Sequence, residues 1–274
     1  MFKRLISILN LVVIVILIAW NGYANTGNFN GKTVGDLSAE YNNLFTPASY
    51  AFSIWGLIFL MLLVFGAYGV YAAFAKAKSL QPRSYRTNFV MSTFPFFIAA
   101  NIFCSIWVGL WLEEMLGASV LCMVGILVCL LACVKKLDME IWDAPFPLIA
   151  FVWWPLCLYT GWISVAIIAN VASYGNQIFE FSQQEQVTIT MSMIVIAALI
   201  NILMIWYRNM REYAAVAVWA LIAIYVRHSA ENEKIAYIAL AMAILIFINI
   251  AWHGIQNRAT NPMLKYQQWR ASKA

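Results

Sequence analysis

No Asp, Glu, Lys or Arg falls within any of the eight long apolar runs of this 274-residue chain, and only 11% of its residues are charged. Soluble domains carry about 25%, and charge inside hydrocarbon usually marks an ion path or a proton relay. The absence argues against a soluble domain and against a pump driven through buried carboxylates. Histidine is scarce too. His228 and His253 are the only two, whereas a zinc centre needs about four clustered ligands. One His is enough for an axial haem bond, but both stand at the ends of runs, where interfacial roles suit them. The five cysteines (Cys104, Cys122, Cys129, Cys133 and Cys157) all lie inside runs, none at CxxC spacing. They read as small, polarisable packing residues. No Ser/Gly/Pro-rich linker separates a second domain, and no nucleophile–base pair suggests an enzyme.

What is present is apolar: 64% of residues are hydrophobic and the mean hydropathy is +0.77. The runs cover 5–24, 47–75, 89–112, 115–134, 145–173, 187–207, 213–226 and 235–255. Seven can cross about 30 Å of hydrocarbon at about 1.5 Å per residue. Run 213–226 is short; it either extends to Ala230 with Arg227 snorkelling or re-enters. The pattern predicts an all-α, polytopic bundle of eight transmembrane helices. If the N-terminus is cytoplasmic, that side collects fourteen of the seventeen Lys and Arg, from Lys3 and Arg4 to Lys273, and leaves Lys32, Arg227 and Lys234 outside. That asymmetry places both termini in the cytoplasm. It also accounts for the formal charge of +5 without nucleic acid. Lys3-Arg4 opens an apolar run with no small-residue cleavage site behind it, as expected of a retained helix in a bacterial-type plasma membrane.

Twelve Trp and thirteen Tyr stand out. Most suit interfacial belts: Trp20, Tyr23, Trp107 and Trp111 outside, and Trp142, Trp206, Tyr207 and Trp252 inside. Those deeper in the runs carry more information. Trp55, Phe59, Leu62 and Gly66 share one helical face, which fits core packing or a ligand wall. Asn101 lies near the middle of its run with Ser105 one turn on, either as an interhelical clasp or as a ligand contact. Pro155 removes the bond to the Phe151 carbonyl, and Pro155, Tyr159, Trp162 and Ala166 share the face beside that break. Loop 25–46, with Gly27, Gly31 and Gly35, is either a hinged lid or an ordinary glycine-rich loop. Ile200-Asn201-Ile202 and Ile248-Asn249-Ile250 repeat before inner Trp residues, suggesting a shared packing device. The basic tail 256–274 suits anionic lipid.

These residues carry a resemblance. Thr46-Pro47, Trp55 and Ile58-Phe59, then Ala100-Asn101, then Pro155, Tyr159, Gly161, Trp162 and Ser164 are similar in spacing to motifs of the TspO/MBR family, the translocator or tryptophan-rich sensory proteins. Ser49, Cys104 and Cys122 stand where that family carries Trp, Trp and Asp. The resemblance covers about residues 5–175. It implies a TspO-like five-helix part, 1–175, extended by three further helices and a tail, 176–274, packed as one unit.

It also implies a binding or sensory protein for a flat apolar or tetrapyrrole-like ligand. The expected site is Trp55, Asn101, Ser105, Tyr159 and Trp162, in the outer half of the bundle. No cofactor is required, although porphyrin or haem fits as a bound ligand. Expected partners are a small apolar or aromatic molecule and membrane lipid, with a homodimer allowed. The alternative is a transporter of a neutral or zwitterionic solute, which a broken helix suits.

Overall fold

The computed structural model describes all residues except 42, 76–87, 259–260 and 272–274. Lys76, Lys78, Arg83, Arg86 and Lys273, counted in the charge asymmetry, lie outside the described residues. The described chain is helical: α1 (Phe2–Ala24), α2 (Val34–Glu40), a 3₁₀ turn (Ser49–Ser53), α3 (Ile54–Phe74), α4 (Phe89–Leu112), α5 (Leu116–Lys136), α6 (Phe146–Leu148), a π-helical turn (Ile149–Trp153), α7 (Trp154–Ile178), α8 (Gln183–Arg208), α9 (Arg211–His228), α10 (Glu233–Gln256) and α11 (Pro262–Ala271).

Seven helical segments among the described residues are long and apolar enough to cross a membrane. They leave large apolar side chains on the outer surface, such as Leu5, Val15, Leu121, Leu203 and Phe247, as lipid contact requires. In six of them 28–39% of the apolar window is buried, against 61% for Phe146–Ile178. That segment is therefore the central one. Its break has a specific form. Pro155 has no N–H to donate, and the chain takes up the mismatch in the π-helical turn just before it. Single π-turns of this kind are tolerated inside helices and cluster at functional sites.

The eighth run, 213–226, forms a continuous 18-residue helix, α9. It falls outside the seven because it is short and carries Arg211, Glu212 and Arg227 at its ends. Its neighbours α7, α8 and α10 shelter it, and Tyr213, Val216, Ala217, Ala220, Leu221 and Ile224 are buried.

Hydrogen bonds tie α8–α10 to the first five long helices. Trp219 Nε1 donates to the Ala51 carbonyl at 3.1 Å, and the Ala48 N–H donates to the Ala223 carbonyl at 3.1 Å. Between α8 and α10, Trp206 Nε1 donates to Asn249 Oδ1 at 2.8 Å. Asn249 and its repeat partner Asn201 both bond back to their own helices, at the Leu245 and Ala197 carbonyls.

Candidate functional site

Loop 25–46 folds into a cap over one end of the bundle. Gly27 and Gly31 have φ of 77° and 72°, a conformation that glycine adopts at little cost. Thr33 and Asp36 then form a capping box that starts α2. The cap is tied down at several points. Asn30 Nδ2 donates to the Leu112 carbonyl at 2.6 Å. Lys32 Nζ lies 2.7 Å from Glu40 and 3.1 Å from Glu114, whose other oxygen accepts the Tyr41 hydroxyl at 2.5 Å. These contacts hold the Glu114 carboxyl below its ordinary pKa, chiefly through the Tyr41 hydrogen bond, and raise that of Lys32, chiefly through Glu40. Asn43 Nδ2 donates to Ser173 Oγ at 2.9 Å, and Ser173 Oγ donates to the Tyr41 carbonyl at 3.0 Å. From α9, Arg227 Nη1 donates to the Asn43 carbonyl at 2.9 Å and also to the Thr46 carbonyl; His228 Nε2 lies 2.8 Å from the Leu44 carbonyl oxygen.

Beneath the cap is a small cavity of about 50 Å³. Val34 and Ser38 of α2 line it above, followed by Thr46 and Pro47. Its walls are Phe52 and Trp55, Trp107 and Trp111 of α4, and Trp162, Ala166 and Asn170 of α7. The indoles are arranged edge-on and stacked, as their quadrupoles favour. Phe52 meets Trp162 at 5.9 Å and 82°, Trp107 stacks on Trp111 at 6.0 Å and 23°, and Trp55 meets Tyr159 at 6.0 Å and 65°. Trp107 Nε1 donates to Asn170 Oδ1 at 2.8 Å, while Asn170 Nδ2 donates to Ser119 Oγ at 2.9 Å. Trp111 Nε1 donates to the Val34 carbonyl of the cap at 3.3 Å. Trp162 is 2% exposed, and its Nε1 has no partner.

The structure thus brings Trp55 and Trp162 to one cavity under loop 25–46. It places the other three expected site residues elsewhere. Asn101 does not line this cavity: it is buried, Nδ2 donates to the Phe97 carbonyl at 2.9 Å, and Oδ1 has no partner. Ser105 Oγ donates to the Asn101 carbonyl, and its own carbonyl accepts Trp20 Nε1. Tyr159 sits fully buried behind Trp55, beside Cys104. Conversely, Trp107 and Trp111 are not lipid-facing belt residues: they are 8% and 5% exposed and line the cavity. Their spacing of four puts them on one face, and that face looks at the cap and α7. Their depth near the membrane surface resembles a belt position; only the folded cap distinguishes the two. Asn170 and Ser173, which fix the cavity's polar corner, also escaped sequence reasoning because their partners come from α4, α5 and the cap.

No curated protein and no solved structure matches this chain. The sequence model of a family described as TSPO-like protein matches residues 7–252. The match runs past residue 175, takes in α8 and α9 and covers most of α10. The chain is a multi-pass membrane protein and belongs to the TSPO-like family.

Proposed function

We propose that the capped cavity binds a flat, apolar or tetrapyrrole-like ligand, and that the protein is a binder or sensor of such a molecule rather than an enzyme. The observation that carries this reading is Trp162. Its indole N–H is buried without a partner in a wall that also holds Trp55, Trp107 and Trp111. An unmade hydrogen bond in an apolar site costs about 1–3 kcal/mol, and a ligand acceptor would recover it while its ring system stacks on the indoles.

The cavity of about 50 Å³ is far below the roughly 300–1,000 Å³ of typical ligand pockets. Occupation by a tetrapyrrole therefore requires the cap to lift. The cap's fastenings are mostly polar, which suits a segment that opens without breaking the bundle. Tyr159 supports Trp55 from behind, and Asn101 and Ser105 serve helix packing. We place the capped end outside a bacterial-type plasma membrane with both termini cytoplasmic, on the Lys/Arg asymmetry; α9 then makes the eighth crossing, shielded by α7, α8 and α10.

The test is titration of the detergent-purified protein with protoporphyrin IX and with haem, following Trp fluorescence. Saturable quenching is expected. Quenching that rises linearly without saturation for both would overturn the proposal.

A further inference from the structure

At the opposite end of the bundle lies a second cavity, of about 210 Å³, and it is polar. Its lining includes Glu140, Asp143, Trp153, Arg211, His253 and Lys265. Five parts of the chain meet there: the 137–145 connection, the π-helical turn, the α8–α9 junction, the end of α10, and α11.

The cavity is held in shape. Asn209 adopts φ 58°, a left-handed helix ending that Asn tolerates. From there its Nδ2 donates to the Glu140 carbonyl at 2.6 Å, and its Oδ1 lies 3.0 Å from His253 Nε2. Arg208 donates to the Val134 and Met139 carbonyls and braces the same connection. Across the mouth, Lys265 of α11 pairs with Asp143, and Tyr266 and Trp269 pack on Phe146 at 5.2 and 5.8 Å.

Four polar atoms on the lining residues are buried without partners: Glu140 Oε1, Arg211 Nε, Trp153 Nε1 and His253 Nδ1. Trp153 and His253 are only 1% and 3% exposed. Buried polar groups normally find partners, so these four describe the missing one. Trp153 and Arg211 offer donors to an anionic oxygen. Glu140 offers an acceptor to a cation carrying N–H groups. The lining carries groups of both signs, Glu140 and Asp143 beside Arg211 and Lys265, which suits a ligand that itself carries both. Among the described residues, no three His, Cys, Asp or Glu side chains converge to hold a metal. Burial, and then the neighbouring Glu212, push the Glu140 carboxyl above its usual pKa while Arg211 opposes them.

We propose that this cavity is a binding site for a small zwitterion of α-amino-acid size, with its ammonium on Glu140, its carboxylate on Arg211 and Trp153, and α11 as the lid. It is separate from the aromatic cavity and stands whether or not that cavity takes a tetrapyrrole.

The experiment uses full-length protein in phosphatidylcholine nanodiscs, titrated with tritiated L-alanine and L-glutamine. Saturable binding of at least one is expected, displaced by the unlabelled amino acid but not by acetate or methylamine. Glu140→Gln and Arg211→Lys should each weaken it by about tenfold or more, as loss of a charge-assisted hydrogen bond implies; Ser192→Ala, on the exposed face of α8, should not. The proposal is overturned by any of three results: no saturable binding of either amino acid to the wild type, displacement by acetate or methylamine alone, or unchanged affinity in both charge variants. A last arm adds phosphatidylethanolamine, whose headgroup also joins an ammonium to an anionic oxygen. Unchanged binding upholds a free solute; competitive loss assigns the site to the headgroup and overturns it.

Discussion

Gly161 of α7 lies against the backbone of α9 so closely that a Cβ at position 161 would sit 2.8 Å from the Tyr213 carbonyl oxygen and 3.2 Å from Val216 Cβ. The nearest obstacle is main chain, which cannot swing aside as a flexible side chain would. Gly161→Ala must therefore push α9 from α7, and overpacking of this kind costs about 1–3 kcal/mol. Thermal unfolding in detergent should show a lower midpoint for Gly161→Ala. At Gly56, where an added Cβ meets nothing within 4 Å, the same substitution should leave the midpoint unchanged or raise it.

The aromatic cavity makes a second expectation sharp. Trp162→Ala should weaken protoporphyrin IX binding by about 1–3 kcal/mol, by analogy with base–aromatic stacking. Trp111→Ala should weaken it as well, since Trp111 both lines the cavity and holds Val34 of the cap. Tyr207, 79% exposed near the other end of the bundle, is the control. Equal affinities for wild type, Trp111→Ala and Tyr207→Ala would show that Trp111 makes no contact with the ligand.

The contrast between Trp162 and Asn101 shows how far the sequence could be read. Helix identity and the special character of the Pro155 segment follow from local composition and backbone chemistry, and both are visible along a single run. Trp162 reaches the cavity on the face that the Pro155 break marks. Asn101 does not line the cavity: an intramembrane Asn signals only that a partner is needed, and its Nδ2 finds one in the carbonyl four residues back. Trp107, Trp111, Asn170 and Ser173 depend on how α2 folds over the bundle, which no period within one helix encodes. The polar cavity was missed for a related reason. Glu140, Arg211, His253 and Lys265 sit in separate connections and helix ends, where each reads as an ordinary solvated or interfacial group.

The cap should respond to pH in a predictable direction. Glu114 has a depressed pKa in the folded protein, so its contribution is present above the ordinary carboxylate value near 4.5 and is lost as pH falls through the lowered one. Lys32 has a raised pKa, so its contribution is complete below its ordinary value near 10.5 and is lost as pH rises through the raised one. The cap is therefore closed across the neutral range and loosens at both extremes. Hydrogen exchange of residues 32–41 should accelerate, beyond the intrinsic pH dependence, in strong acid. Glu114→Gln should reproduce that acceleration at neutral pH. Identical protection in wild type and Glu114→Gln would mean that the Lys32 and Tyr41 contacts do not hold the cap.

The strongest fastening of the cap comes from the part of the chain beyond the five-helix resemblance. Arg227, in the last turn of α9, donates to the carbonyls of Asn43 and Thr46, on the two residues that flank Leu44 and Phe45. Phe45 is fully buried, so these bonds hold down the stretch leading into Pro47 and the cavity wall. Hydrogen bonds to a charged donor contribute about 1.5–3 kcal/mol, more than an exposed pair such as Lys32 with Glu40. Arg227→Met keeps an unbranched apolar stem and removes both bonds. It should shift the cap toward the open state and raise the association rate for protoporphyrin IX, with a smaller change in dissociation constant because the indole wall is untouched. Stopped-flow Trp quenching measures the rate directly. If Arg227→Met binds no faster than wild type while hydrogen exchange in residues 43–46 rises, cap release is not the step that limits entry, and α9 stabilises the fold without controlling access.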